Sequence, residues 1–274
     1  MPQLSLQTYS SKRINKKLRL CTALLFLASL SLSNTSMADT FVMAFGKDPS
    51  TNSQHLFYKK IYEKAFLQLG YDFEYVLCPS KRCSVMADSG KVDGEPQRVR
   101  SYNTRFKNMI RVDEPIFINR TIAFSKNKQL KIEGLESLAQ EKLRVDYLMG
   151  SVWSRENLSR VLPADYLTAI KTSPQSLKRI MYGRVDIFVA LEAPTLELLD
   201  RKEYRDSGII PAGIIGQNES FPFIHNSHID LAPKLAETLQ KMKASGEYQR
   251  ILREVMPYLK HQETQIERQN TAGQ

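Results

Sequence analysis

Two cysteines, two histidines and several arginines are the residues of this sequence whose chemistry could be more than structural. Cys78 and Cys83 stand in the segment Cys78-Pro79-Ser80-Lys81-Arg82-Cys83. That spacing allows a small disulfide-closed loop in an oxidising compartment, or else two unpaired thiols whose Cβ vectors do not suit a bridge. A zinc site would want further ligands nearby, and the sequence supplies none. His225 and His228 are close enough to share a metal, but no acid or cysteine at ligand spacing accompanies them, so a structural role is expected. The sequence contains no Gly-x-Ser-x-Gly elbow, no phosphate-binding glycine loop and no His-Glu-x-x-His motif. No enzyme, no cofactor and no metal is expected from these residues.

The bulk properties are those of a globular chain: 274 residues, 42% apolar and 25% charged. The first forty residues differ. Lys12, Arg13, Lys16, Lys17 and Arg19 precede an apolar run from Leu20 to Leu32, and Ser36-Met37-Ala38 supplies the small residues that a signal peptidase accepts. Residues 1–38 are therefore read as a cleaved secretory signal, with the mature chain starting near Asp39 in the periplasm. The apolar run is shorter than the ~20 residues that cross a bilayer. The whole chain carries +10, but five of its 39 basic residues and none of its 29 acids precede Asp39, which leaves a mature charge of +5. That mild excess is spread along the chain, so no nucleic-acid partner is expected.

From Asp39 onward short apolar runs alternate with amphipathic segments, the pattern of strands joined by crossover helices. Strands are expected at Thr40 to Phe45, Tyr71 to Leu77, around Val92, and at Met109 to Val112, Thr121 to Phe124, Leu143 to Leu148, Tyr166 to Ile170 and Val185 to Ala190. Leu56, Tyr58, Ile61, Tyr62, Ala65, Phe66 and Leu69 recur at helical steps up to Gly70. Further helices are expected from Ser80 to Asp88, from Glu136 to Glu141, after Gly150-Ser151 through Val161, and from Ser173, an N-cap followed by Pro174, up to Gly183. Gly208 to Gly216 reads as an extended crossing strand with breaks. The helices Ile229 to Ala244 and Glu247 to Leu259 close the fold, and the polar tail 261–274 is expected to be disordered.

Several of these segments fall in a recognisable order. Gly90-Lys91-Val92-Asp93-Gly94, Glu114-Pro115-Ile116, Gly134-Leu135-Glu136-Ser137-Leu138, Met149-Gly150-Ser151, Gly183-Arg184-Val185-Asp186 and the closing segments from His228 to Leu235 and from Met242 to Tyr248 resemble the family 3 extracellular solute-binding proteins. Members of that family serve amino-acid ABC transporters. The resemblance implies an α/β chain with a two-lobed periplasmic-binding-protein-like type II fold and a hinge of two crossing segments. Lobe 1 is then 39–119 plus 213–260 and lobe 2 is 120–212. Hinged closure over a ligand is the behaviour expected of such proteins.

The same resemblance points to site residues. Arg105 stands where the family's carboxylate-binding arginine is expected, but Tyr102 replaces the usual threonine. Pro79 and Arg82, with Asp93-Gly94 and Arg98, are similar to a divergent branch carrying a Pro-x-x-Arg and an Asp-Gly-x-x-x-Arg segment. A guanidinium fork suits a carboxylate because it donates two parallel charge-assisted bonds; Arg98 is the first choice, then Arg82, and a solvated surface arginine is the plain alternative for each. Ser151, with Gly150 at a helix N-terminus, either presents N–H groups to an anion or is an ordinary cap. Trp153, the sole tryptophan, either walls the cleft or packs internally, and Phe45 ends the first strand, where cleft residues commonly lie. The family's ammonium-pairing aspartate is replaced by Leu191, so either Glu192 beside it has that role or the ligand carries no amino group. The expected function is a monomeric periplasmic binder of a small carboxylate-bearing solute, handing it to a membrane permease or, alternatively, signalling to a sensor partner.

Overall fold

A computed structural model describes residues 39–139 and 142–259; the expected signal segment 1–38 and the tail 261–274 lie outside the described residues. In chain order the elements are β1 (Thr40–Phe45), α1 (Ser53–Gln68), β2 (Asp72–Leu77), α2 (Ser80–Asp88), β3 (Gly94–Val99), β4 (Met109–Arg111), β5 (Phe117–Ser125), β6 (Val145–Leu148), α3 (Val152–Val161), β7 (Leu167–Ile170), α4 (Ser173–Met181), β8 (Ile187–Leu191), α5 (Glu192–Leu199), β9 (Ile210–His225), α6 (Leu231–Ala244) and α7 (Glu247–Val255). The strands share one curled sheet in the order β2-β1-β3-β9-β5-β8-β6-β7, and β4 pairs with β9 off that path. This is the α/β class that the sequence pattern implies, in the two-lobed arrangement that the family resemblance implies.

Two long antiparallel strands, β5 and β9, are the crossing segments. They pair from Phe117 opposite Ser220 to Ser125 opposite Ile210. At one end β9 pairs with β3, which continues into the parallel strands β1 and β2; at the other end β5 pairs with β8, which continues into the parallel β6 and β7. Each end has its own apolar cores. Phe41, Phe57, Tyr62, Phe66, Leu235 and Ile251 belong to the first end, while Ile122, Phe124, Leu177, Phe188, Leu158 and Val189 belong to the second.

The two Gly-x-Val-Asp segments repeat one construction in both lobes. Gly90 and Gly183 adopt left-handed conformations, φ 70° and 66°, that end α2 and α4. The next N–H turns back, from Lys91 to Met86 O and from Arg184 to Arg179 O, both at 2.9 Å. Val92 and Val185 are buried. Asp93 then donates its N–H to Val42 O and accepts the Val42 N–H on its carboxylate, and Asp186 makes the same pair of bonds with Arg144. These aspartates clamp the start of the neighbouring parallel strand.

Most expected elements are present; among the differences, the helix expected from Glu136 to Glu141 is a 3-10 turn over Glu136–Ala139, and the strand expected at Thr121 to Phe124 runs from Phe117 to Ser125. Thr172, not Ser173, caps α4, its side chain accepting the Gln175 N–H. The third strand starts at Gly94, two residues beyond Val92. The strand β9 runs on to His225 because its second half pairs with both β3 and β4. The helix α5 was not expected at all: Pro194 punctuates the sequence there, but it falls in the first turn, where a missing N–H costs nothing. Among the described residues no helix is long and apolar enough to cross a membrane.

Candidate ligand-binding site

The strand register brings two edges face to face. In open α/β sheets ligands bind beyond the carboxyl ends of parallel strands. The carboxyl end of β3, Val99, lies beside Ser220 of β9, and that of β8, Leu191, lies beside Thr121 of β5, which in turn pairs with Gly216. Both edges therefore point toward the middle of the β5–β9 ladder. Only three residues of β9, Gln217, Asn218 and Glu219, separate the Gly216 and Ser220 rows, about 14 Å along an antiparallel strand. Between the two rows Ile118, Asn119 and Arg120 of one strand pair with Glu219, Asn218 and Gln217 of the other.

On the lobe 1 edge, a break in β3 positions an arginine. Residues three apart on a regular strand point to opposite faces. Here the register slips between Glu95 and Arg98, so Pro96 and Gln97 bulge opposite β9. Arg98 consequently turns back onto Glu95: its Nε donates to Glu95 Oε2 at 3.1 Å, and its Nη2 donates to Glu95 Oε1 and, at 3.3 Å, to Ser84 Oγ of α2. Tyr102 donates its hydroxyl to the same carboxylate. Glu95 is wholly buried, whereas 25% of the Arg98 side chain is exposed. Burial works against the Arg98 charge, but the hydrogen bonds and charge of Glu95 outweigh it and raise its pKa. The result is a guanidinium held by Glu95 next to the carboxyl end of β3, with Nη1 having no hydrogen-bond partner among the described residues.

The other expected residues of this edge have different surroundings. Tyr102 is buried, stacked on Phe106 and set edge-on to Phe223, so its hydroxyl serves Glu95. Phe45 is fully buried and packs its ring against Tyr75 and His55. Arg82 and Arg105 are exposed and form no ion pair among the described residues; the Arg105 guanidinium lies 5.4 Å from the Phe106 ring. Cys78 and Cys83 are joined by a disulfide with a Cα separation of 5.4 Å, which ties the loop leaving β2 to the first turns of α2, where Arg82 sits.

His55 is a neighbour the sequence reading did not single out. It is buried in α1 beside Phe45, and its Nδ1 faces Asn52 Oδ1 at 2.9 Å, the same oxygen that caps the helix by accepting the His55 N–H. Burial first, then the charges of Lys47 and Arg98, push its pKa down to about 4 from 6.5. The unfolded chain takes up a proton below pH 6.5 that the folded chain refuses until about pH 4. Stability contributed by neutral His55 is thus complete above pH 6.5 and lost as the pH falls toward 4. Thermal unfolding midpoints across that window should decline in the parent protein and decline less in His55→Gln; parallel curves would contradict this assignment.

On the lobe 2 edge, Ser151 caps α3: its Oγ accepts the Ser154 N–H at 3.3 Å and contacts Ser154 Oγ at 2.8 Å. Trp153, in the first turn of α3, lies against β9. A Cβ added at Gly216 would stand 2.4 Å from Trp153 Cζ2, so the indole covers a backbone position that only glycine leaves open. The residue is nevertheless 39% exposed. Glu192 is buried and paired with the equally buried Arg120 at 3.5 Å, while Leu191 beside it is exposed. His228 Nε2 meets Asp93 Oδ1 and His225 Nδ1 meets Ser227 Oγ, both at 2.8 Å. Among the described residues no group of three or more potential metal ligands comes together.

The structure thus unites Arg98 and Tyr102 around Glu95, and leaves Arg82, Arg105, Ser151 and Trp153 as separate points on the two edges. The acids Glu95 and the cation Arg120 were not singled out from sequence. Glu95 carried one usable signal: an acid three residues before an arginine with a proline between them marks a bulge that can place both on one face. Arg120 carried none, because its partner Glu192 is remote in sequence.

No family model matches the chain. It is 33% identical over 222 residues to an uncharacterized protein of Shewanella oneidensis, covering 81% of this chain and 84% of that protein. Among solved structures, it is similar to the unliganded, open L-cystine solute receptor of Neisseria gonorrhoeae, with 15% identity, 80% of this chain and 94% of that chain covered, and a TM-score of 0.62. An ancestral arginine-binding protein bound to arginine shares 20% identity over 80% of this chain and 99% of that one, with a TM-score of 0.51. A histidine kinase sensor domain with similarity to periplasmic binding proteins shares 16% identity over 80% and 96%, with a TM-score of 0.52. At these identities the solved structures establish the fold, which is that of the periplasmic solute-binding proteins.

Proposed function

The chain belongs to one family with the uncharacterized Shewanella oneidensis protein and has the fold of the periplasmic solute-binding proteins, and on that premise we propose that it closes around a small carboxylate-bearing solute in the periplasm and delivers it to an ABC-type permease. The observation that carries this reading is the pair of strand-end edges converging on the middle of the β5–β9 ladder, with Arg98 held next to the carboxyl end of β3 by a buried carboxylate. A positioned guanidinium with a free fork nitrogen loses little order when a carboxylate arrives, which favours binding. Arg82 and Arg105 add unpaired positive charge on the same lobe. In this reading nothing is transformed chemically: the carboxylates that might act as acid or base, Asp93, Glu95 and Asp186, are all engaged in structural bonds.

Thermal denaturation in the presence of amino acids, polyamines and carboxylates tests the proposal. A solute at a hundredfold excess over its Kd should stabilise the protein by about 2.7 kcal/mol, and Arg82→Ala should weaken that stabilisation without altering the unliganded midpoint. Failure of every solute to stabilise the protein would overturn the reading. A second reading, a ligand sensor that signals to a membrane partner, is favoured by the likeness to the kinase sensor domain. Reconstituting solute uptake with a permease separates the two, since a sensor binds its solute without supporting transport.

A further inference from the structure

The two edges carry an unusual surface. Six of the eleven exposed large apolar side chains among the described residues stand on them. Leu77 and Val99 end β2 and β3, Met149 follows β6, Val152 and Trp153 open α3, and Leu191 ends β8. Single exposed apolar residues are ordinary, but their concentration on one facing pair of edges marks a surface meant to be covered. The lobe 2 members are also contiguous. Leu191, Thr121 and Gly216 form one row across three strands, and the Trp153 indole covers Gly216; Met149 follows the end of β6, which pairs with β8 up to Tyr147 opposite Val189.

The acids around this surface are each held by a hydrogen-bond donor. Glu95 is engaged by Arg98 and Tyr102, Glu192 by Arg120 and Glu219 by Arg100, and Asp48 Oδ1 accepts the Ser50 N–H. Lys47, Arg82 and Arg105 have no ion-pair partner among the described residues. A solute lying between the edges meets the unpaired cations Lys47, Arg82 and Arg105 on lobe 1 and an apolar shelf on lobe 2, where the exposed strand end is Leu191. Resting on the solute-binding reading above, we infer that the solute is an organic anion with a branched aliphatic or aromatic body and no ammonium group. Its carboxylate faces the Arg98 side and its body lies on Trp153 and Leu191, while an ammonium, one carbon from the carboxylate, would stand beside the unpaired cations of lobe 1 instead of an acid.

The test uses the fluorescence of Trp153, the sole tryptophan of the chain, and calorimetry on the purified protein with three probes: 4-methyl-2-oxopentanoate, L-leucine and pyruvate. The first should perturb the fluorescence and bind at least tenfold more tightly than the other two, and Leu191→Asp should move the preference toward L-leucine by at least tenfold. Leucine binding as tightly as its 2-oxo acid overturns the absence of an ammonium site, and pyruvate binding as tightly overturns the apolar shelf. If none of the three binds but a hydrophilic solute of the wider panel does, this inference fails and the solute-binding reading stands; if no solute binds at all, that reading fails first.

Discussion

Arg98→Ala lowers the free energy of unfolding by about 3 kcal/mol, the cost of leaving a buried charge without its partner. Glu95 is wholly buried and, without Arg98, keeps only the Tyr102 hydroxyl as a side-chain donor. The partial exposure of Arg98 puts the effect at the lower end of the range for broken buried pairs. The double variant Glu95→Leu/Arg98→Met should recover most of the loss, because an apolar pair of similar volume brings no uncompensated charge into the core. Denaturant unfolding of the parent, the two single variants and the double variant gives the coupling directly. Equal stability of Arg98→Ala and the parent would mean that the bulge in β3 does not hold the two groups together. The same reasoning makes Arg98→Ala a poor probe of ligand binding, since lost affinity would be confounded with lost fold; exposed Arg82, whose truncation should cost less than about 0.5 kcal/mol, is the cleaner one.

Gly213→Ala is the other large effect, also about 3 kcal/mol, at the upper end for overpacking. A Cβ at Gly213 would stand 1.8 Å from the carbonyl oxygen of Ile132 and 2.7 Å from its carbon. Those are backbone atoms, fixed by the bonds from Ile132 N to Ala212 O at 2.9 Å and from Gly134 N to Ile214 O at 3.2 Å. No side-chain rotation relieves the contact, so either the 130–134 segment separates from β9 or β9 shifts against β5. Because β9 is one of the two crossing strands, the variant should also impair solute binding at temperatures where it remains folded. A stability within about 0.5 kcal/mol of the parent would show that this approach is looser than the structure has it.

What the sequence allowed one to read follows the range of the interactions concerned. Local devices were legible: the Gly90 and Gly183 helix ends, the Ser151 cap and the helix from Ser80 to Asp88 depend on neighbours within a few residues. The paired Gly-x-Val-Asp segments were legible too, because the clamp on the next parallel strand recurs in each lobe. The candidate site was legible only in part. Phe45 and Tyr102 look like wall residues in sequence, but the first turns into the core and the second is drawn to Glu95, a choice made by a bulge and by packing against Phe223. Glu192 looked available for an ammonium until β5 brought Arg120 against it from 72 residues away. The apolar shelf was invisible for the same reason: Leu191 and Trp153 come to one row only through the pairing of β5 with β8 and β9.

Small-angle X-ray scattering of the purified protein, alone and saturated with its tightest solute, tests closure between the lobes most directly. The account predicts a smaller radius of gyration in the saturated sample, as two lobes joined through β5 and β9 swing together over the solute. An unchanged scattering profile under calorimetrically verified saturation would contradict it.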